Sequence, residues 1–292
     1  MPTTSKVPDA VVRLAGARRL DPAVSAVRAI VRSALKPGAV RDALHGVWLG
    51  HPLHPLLTHV PIGMWSAAAV VDLTPGGGAA ASGLIATGCA AYVPTVLAGW
   101  TDWSELDEPQ QRVGLVHATM GGAAFACYVG SLAARARGSH WRGRLWSLAG
   151  LGFVTATGYL GGHLSYRQAA GVSRATEPLH RFPAGWHTLA RLDELPDGVP
   201  TRREVEGVDL LVIRRGTHVD VLVNSCPHLG APLSAGSFVA VAGQGCVVCP
   251  WHGSTFRLAD GAVVHGPATA PAPRFDTHID NGVVSVRRPG AG

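Results

Sequence analysis

The sequence predicts a multidomain chain of two unlike halves: an N-terminal four-helix transmembrane bundle and a C-terminal all-β domain. Three observations predict it. Residues 56 to 163 hold four long apolar stretches, whereas the residues after about 185 read as short strands broken by turns. Charged residues make up only 15% of the chain, against about a quarter in a soluble domain, as expected when part of it lives in lipid. The 292 residues suit two modest domains. The expected boundaries are a basic arm with an amphipathic helix over 1–44, a helical membrane domain over 45–172, a linker over 173–185 and the β domain over 186–289.

The arm opens with Lys6, Arg13, Arg18 and Arg19 around no continuous apolar core, so it does not read as a signal peptide. Arg18-Arg19 resembles a twin-arginine signal only as a dipeptide, because Asp21 and Pro22 follow where an apolar run is required. The net charge of +6 is mostly Arg spread over the arm, one interhelical loop and the β domain. That scatter argues against nucleic acid as a partner and fits loop charges that orient a membrane protein beside anionic lipid. A helix is expected from Asp21 at the N-cap and Pro22 at the first helical position to the stop Lys36-Pro37-Gly38. Its stripe of Val24, Val27, Ile30, Val31, Ala34 and Leu35 would rest on a membrane surface or pack on the next domain.

The four spans are expected at 56–73, 79–100, 113–134 and 145–163. Each is about 20 residues, enough at about 1.5 Å per residue to cross a hydrocarbon core of about 30 Å. Gly and Ala are abundant, which suits close helix packing in lipid, and Trp100, Trp103, Trp141 and Trp146 stand at span ends as an interfacial belt. Alternating direction puts His51, His54, His59, Asp102, His117 and His163 near one side. The basic residues near that side, among them Lys36, Arg41, Arg112 and Arg167, make it the cytoplasmic one by the positive-inside rule. A multi-pass protein of the cytoplasmic membrane is expected, with the β domain on the cytoplasmic side.

Ionisable groups inside a span are a functional hypothesis, because lipid penalises them unless a partner or cavity is supplied. Diagonal helices one and three would present His59 and His117 to a metal, with His163 alongside. Haem b is the natural candidate, with a quinone pocket or interfacial hydrogen bonding as alternatives. HPLHPLLTHVPIGMW, GWTDW and GYLGGHLSY resemble an uncharacterised family of four-helix bacterial membrane proteins over about residues 45–172. That resemblance implies the topology and assigns no ligand.

In the last hundred residues WHTLARL, TRREVEG, DLLVIRRG, HVDVLVNS and GVVSVRR read as strands of a small β domain. Between them lie CPHLGAPL at Cys226 and CPWHGSTF at Cys249, two loops each offering one thiolate and one imidazole. A zinc site from Cys246, Cys249 and His252 with Cys226 or His228 is the competing reading. It leaves the CPHLGAPL context and the GPA loop without a role. C-x-H, twenty intervening residues and C-x-x-H resemble the Rieske family, and the likeness runs from Trp186 to Val286. It implies a 2Fe-2S cluster with Cys226 and Cys249 on one iron and His228 and His252 on the other, surrounded by Leu229, Trp251, Ser254 and the proline loop at Pro267. Cys246, Cys89 and Cys127 are then packed thiols.

Departures from the family narrow the resemblance. The cysteine pair that cross-links the cluster loops in cytochrome bc complexes is matched here by Ala231 and Trp251, which points to the ferredoxin and oxygenase branches. Ser254 stands where the family donates a hydroxyl to a bridging sulfide, but Phe256 replaces a tyrosine that bonds a ligand sulfur. With one donor fewer, a potential in the lower part of the Rieske range of about −150 to +300 mV is expected. Single-electron transfer between the cluster and a haem or quinone in the bundle is the expected function. The alternative is a carrier on a passive anchor that serves a soluble oxygenase or reductase. No catalytic residues are expected, because an oxygenase needs a separate site of two His and a carboxylate for which the β domain leaves no length.

Overall fold

A computed structural model describes residues 6–290, so the first five residues of the arm lie outside it. In chain order its helices are α1 (Lys6–Ala15), α2 (Asp21–Ala34), α3 (Ala39–His45), α4 (Leu53–Val71), α5 (Gly78–Trp103), α6 (Glu108–Ala136), α7 (His140–Gly162) and α8 (Thr176–Arg181). Two compact units form among the described residues, 6–36 with 53–170 and 37–52 with 171–290. Residues 37–52, which the sequence divides between the arm and the helical domain, therefore pack with the β unit.

In the first unit α4 to α7 are the four long helices, and they outrun the expected spans. A capping box starts α6 five residues early: the Gln110 backbone N–H donates to Asp107 Oδ1 at 2.9 Å, and the Asp107 N–H donates to the Gln110 side chain at 3.2 Å. Helical hydrogen bonding then carries through the polar first turn. The same holds for α7, which begins at His140 and includes Arg142 and Arg144. Among the described residues α5 and α6 are the two helices long and apolar enough to cross a membrane. Basic residues at the start of α7, and His and Pro at the start of α4, dilute the other two.

The amphipathic helix α2 forms as expected, but Asp21 is not its cap. Leu20 holds the N-cap position, and the Asp21 carboxylate accepts from Arg112 Nε at 2.6 Å and Nη2 at 3.0 Å. A guanidinium fork outcompetes a backbone N–H for a carboxylate. Arg28 Nε donates to the Ser104 carbonyl at 3.0 Å, and Arg32 pairs with Glu105 at 2.8 Å. Of the two expected roles for this helix, packing on the helical unit is the one realised.

In the second unit the strands pair antiparallel throughout their named ladders. Its strands are β1 (His187–Arg191), β2 (Thr201–Val205), β3 (Val208–Arg215), β4 (His218–Val223), β5 (Ser237–Val241), β6 (Gln244–Val248), β7 (Thr255–Arg257), β8 (Val263–His265), β9 (Asp276–Asp280) and β10 (Val283–Arg287). Among the described residues they make sheets in the orders β1-β10-β9, β2-β3-β4 and β5-β6-β7-β8. Strand β3 separates two cores because its side chains alternate faces. Leu210 and Val212 join Val221, Phe275 and Val286 on one side, while Leu211 and Ile213 join Leu222, Cys226, Cys249 and Phe256 on the other. The expected linker contributes as well: α8 lies inside it, and Phe182 is buried in the first core.

Candidate metal centre

The second core is the floor of the ligand loops. The loop after β4 carries Cys226 and His228, and it is closed by hydrogen bonds from Cys226 N to the Ala231 carbonyl and from Gly230 N to the Cys226 carbonyl, at 2.8 and 2.9 Å. The loop between β6 and β7 carries Cys249 and His252 and repeats the device. There Cys249 N donates to the Ser254 carbonyl and Gly253 N to the Cys249 carbonyl, at 2.8 and 3.1 Å. Gly230 and Gly253 have φ of 83° and 76°, values that favour glycine in each turn.

These loops bring the four residues together as two like pairs. The Cys226 and Cys249 thiols are hydrogen-bonded to each other, and the His228 and His252 rings lie 5.0 Å apart, nearly perpendicular. The shared proton holds Cys226 far above the ordinary thiol range and draws Cys249 down to about 6. Burial opposes that fall, while the backbone N–H groups of Trp251 and His252 support it. Burial pushes His228 down to about 3, helped by the charges of His252 and His45, so it stays neutral as a ligand must.

Nδ1 of His228 is buried and, among the described residues, meets no hydrogen-bond donor or acceptor. A buried polar nitrogen left this way is costly unless a metal takes its lone pair. Backbone N–H groups of His228 and Leu229 point at the Cys226 sulfur, as those of Trp251 and His252 do at Cys249. Such donors stabilise negative charge on sulfur. Ser254 is buried, and its oxygen accepts from Ala268 N at 2.9 Å, which leaves its hydroxyl proton to donate elsewhere. Pro267 is buried beside it, while Trp251 is exposed. Phe256 is fully buried in the same core as both cysteines.

A single zinc ion finds no such site. Cys246 turns its thiol to the Gln244 carbonyl at 3.6 Å, and among the described residues no three His, Cys, Asp or Glu converge on one ion. Two irons, each with two protein ligands, fit the two pairs.

Residues 185–276 match the family model of the Rieske [2Fe-2S] domain. This unit is a Rieske domain. Residues 50–174 match a second family, described as Predicted membrane protein (DUF2231). The Rieske region is 33% identical over 94 residues to cholesterol 7-desaturase nvd of Drosophila melanogaster, covering 32% of this chain and 21% of that protein. It is 41% identical over 83 residues to the oxygenase component of chloroacetanilide N-alkylformylase from Rhizorhabdus wittichii, covering 28% of this chain and 22% of that one. The chain thus spans about a fifth of these curated relatives. Among solved structures, the ferredoxin of carbazole 1,9a-dioxygenase from Nocardioides aromaticivorans IC177 is 33% identical, with 35% of this chain and 95% of that chain covered and a TM-score of 0.32. The Rieske domain binds a 2Fe-2S cluster that supports electron transfer.

Sequence reasoning missed a support of the Rieske loops that comes from far upstream. Asp42 of α3 accepts from the Gly266 N–H and from His265 Nδ1, both at 2.9 Å, and so clasps the proline loop. A Cβ at Gly266 would stand 3.2 Å from the ring of His45 and 3.3 Å from Val47. A lone Asp more than two hundred residues away gives no local signal of this role.

The membrane histidines part company. His59 is exposed, with Nδ1 on its own helix at the Leu56 carbonyl, 3.1 Å away. It does not face His117, because its position on α4 turns it outward. His163 is half-buried in the last turn after α7. His54 is the residue that meets His117, the rings 6.2 Å apart.

Proposed function

We propose that this chain is a membrane-anchored one-electron carrier. It passes single electrons between its 2Fe-2S cluster and a redox centre of the helical unit, a haem b or a quinone. The supporting observation is that one chain joins the paired cysteine and histidine ligands of a Rieske domain to two helices apolar enough to cross a membrane. On this reading all four long helices span the cytoplasmic membrane, and the Rieske domain works on the cytoplasmic side. Fewer hydrogen bonds to the cluster, with Phe256 in place of a tyrosine, hold its potential in the lower part of the Rieske range.

The likeness to an oxygenase component favours a second reading, in which the helices only anchor a carrier for a soluble oxygenase or reductase. Reconstitution into vesicles separates the two. Cluster reduction by quinol in the bilayer, followed by the paramagnetic signal of the reduced cluster, is expected to be fast in the full chain. It should fall at least tenfold when the bundle histidines are replaced. Equal rates in both proteins would favour the passive anchor.

A further inference from the structure

The four long helices repeat themselves. Asp72 and Arg135 are 63 positions apart, and so are Trp65 and Tyr128, and His54 and His117. The buried positions of α4, Pro61, Trp65 and Ala68, recur on α6 at the same interval as Ala124, Tyr128 and Ser131. Between α5 and α7 the interval is 62, matching Thr95 with Thr157 and Gly99 with Gly161. These intervals point to two copies of one unit, the hairpin α4–α5 and the hairpin α6–α7, related by a pseudo-twofold axis along the helices.

Equivalent residues of α4 and α6 meet at that axis. Asp72 and Arg135 form a buried ion pair, with Nη1 donating to Oδ1 at 2.9 Å. Trp65 and Tyr128 stack at 4.4 Å. The third pair, His54 and His117, has ring centroids 6.2 Å apart and planes crossing at 83°.

Each imidazole is aimed by the same device. His54 Nδ1 donates to the Thr95 carbonyl at 2.9 Å, and His117 Nδ1 donates to the Thr157 carbonyl at 2.8 Å. One turn beyond each threonine stands a glycine. A Cβ at Gly99 would come 2.8 Å from the His54 ring, and one at Gly161 would come 3.2 Å from the His117 ring. A carbonyl only accepts, so in both rings Nδ1 carries the hydrogen and Nε2 keeps its lone pair, the form of a metal ligand. Second-shell bonds of this kind fix ligand orientation in metal sites.

We propose that His54 and His117 are the two axial ligands of a haem b on the pseudo-twofold axis. With metal–nitrogen bonds of about 2.0–2.1 Å and a ring radius of about 1.1 Å, trans imidazoles have centroids about 6.2–6.4 Å apart. The observed separation matches. Among the described residues no third His, Cys, Asp or Glu joins them, and a porphyrin brings four nitrogen ligands of its own. This deepens the electron-transfer reading and rests on it. Ferric haem would gain the one electron that the reduced cluster loses, with no proton or bond exchanged.

The test uses the full chain, purified in detergent from cells given iron and a haem precursor. One haem per chain is expected, as the pyridine complex, with a strongly anisotropic low-spin ferric resonance from the crossed ring planes. Haem content should fall at least tenfold in His54→Ala and His117→Ala and stay unchanged in His59→Ala and His163→Ala. In His117→Gly, added imidazole should restore the haem spectrum, which separates lost ligation from lost folding. An intact cluster with no haem, or with copper or zinc and no porphyrin, would overturn the haem site alone. Haem retained in His117→Ala would overturn it too. A full chain without its cluster would instead overturn the reading beneath it.

Discussion

Ser254 and Phe256 lie two residues apart, and on the proposed cluster they are expected to act with opposite sign. Ser254 has a hydroxyl proton to give, because its oxygen already accepts from Ala268 N. Phe256 fills the core under both cysteines and has no proton to give. A hydrogen bond to the cluster stabilises the reduced, more negative state more than the oxidised one. A net bond of about 0.5–1.5 kcal/mol corresponds to about 20–65 mV in a one-electron couple. Phe256→Tyr is therefore expected to raise the midpoint by that amount and Ser254→Ala to lower it, in a redox titration followed by the cluster spectrum. Shifts of the same sign in both variants would refute this account of the potential.

At the scale of elements, α3 is the part of the Rieske unit that stabilises it from outside its own stretch of chain. Asp42→Ala strands the Gly266 N–H and removes the partner of His265. The lost partner costs about 1–3 kcal/mol, and each 1 kcal/mol moves the midpoint of thermal bleaching by about 2–8 °C. The control is Asp193→Ala, which breaks an exposed pair with Arg191 and should cost no more than about 1 kcal/mol. Equal midpoints for the two variants would show that the clasp is ornamental. The sequence made β1 to β4 and β10 legible: β3, β4 and β10 carry β-branched and apolar runs, and turn residues bound all five. Strands β5 to β9 were not, although they frame the second ligand loop. They are three to five residues long and are paired by tertiary contacts rather than by a periodic pattern. The convergence of the two Cys–His loops was legible, because their fixed spacing needs no strand assignment. The clasp was not, because a contact between α3 and the proline loop leaves no trace in either segment.

Across the helical unit as a whole, the duplication explains why the histidines were read from the sequence as His59 with His117. Depth from the span ends puts His59 nearest the mark, whereas the internal repeat pairs His117 with His54 directly. The duplication also makes a prediction that ordinary packing does not. Removing Asp72 leaves Arg135 buried without its carboxylate, at a cost of about 3–5 kcal/mol, while Asp72 without Arg135 keeps Arg144 at 3.9 Å. If the two positions are equivalent by the pseudo-twofold, Asp72→Arg with Arg135→Asp should recover part of that loss. Recovery should be incomplete for an identifiable reason. Gly143 makes room for Arg135, since a Cβ there would stand 2.6 Å from its Cγ, whereas the equivalent position on α5 is the buried Ala81. Adding Ala81→Gly to the exchanged pair should then bring detergent stability closer to that of the parent. The same Ala81→Gly change in the unaltered chain should destabilise by about 1 kcal/mol, as glycine does inside a helix. An exchanged pair no more stable than either single variant, with or without Ala81→Gly, would break the equivalence of the hairpins and the symmetry argument for the histidine pair.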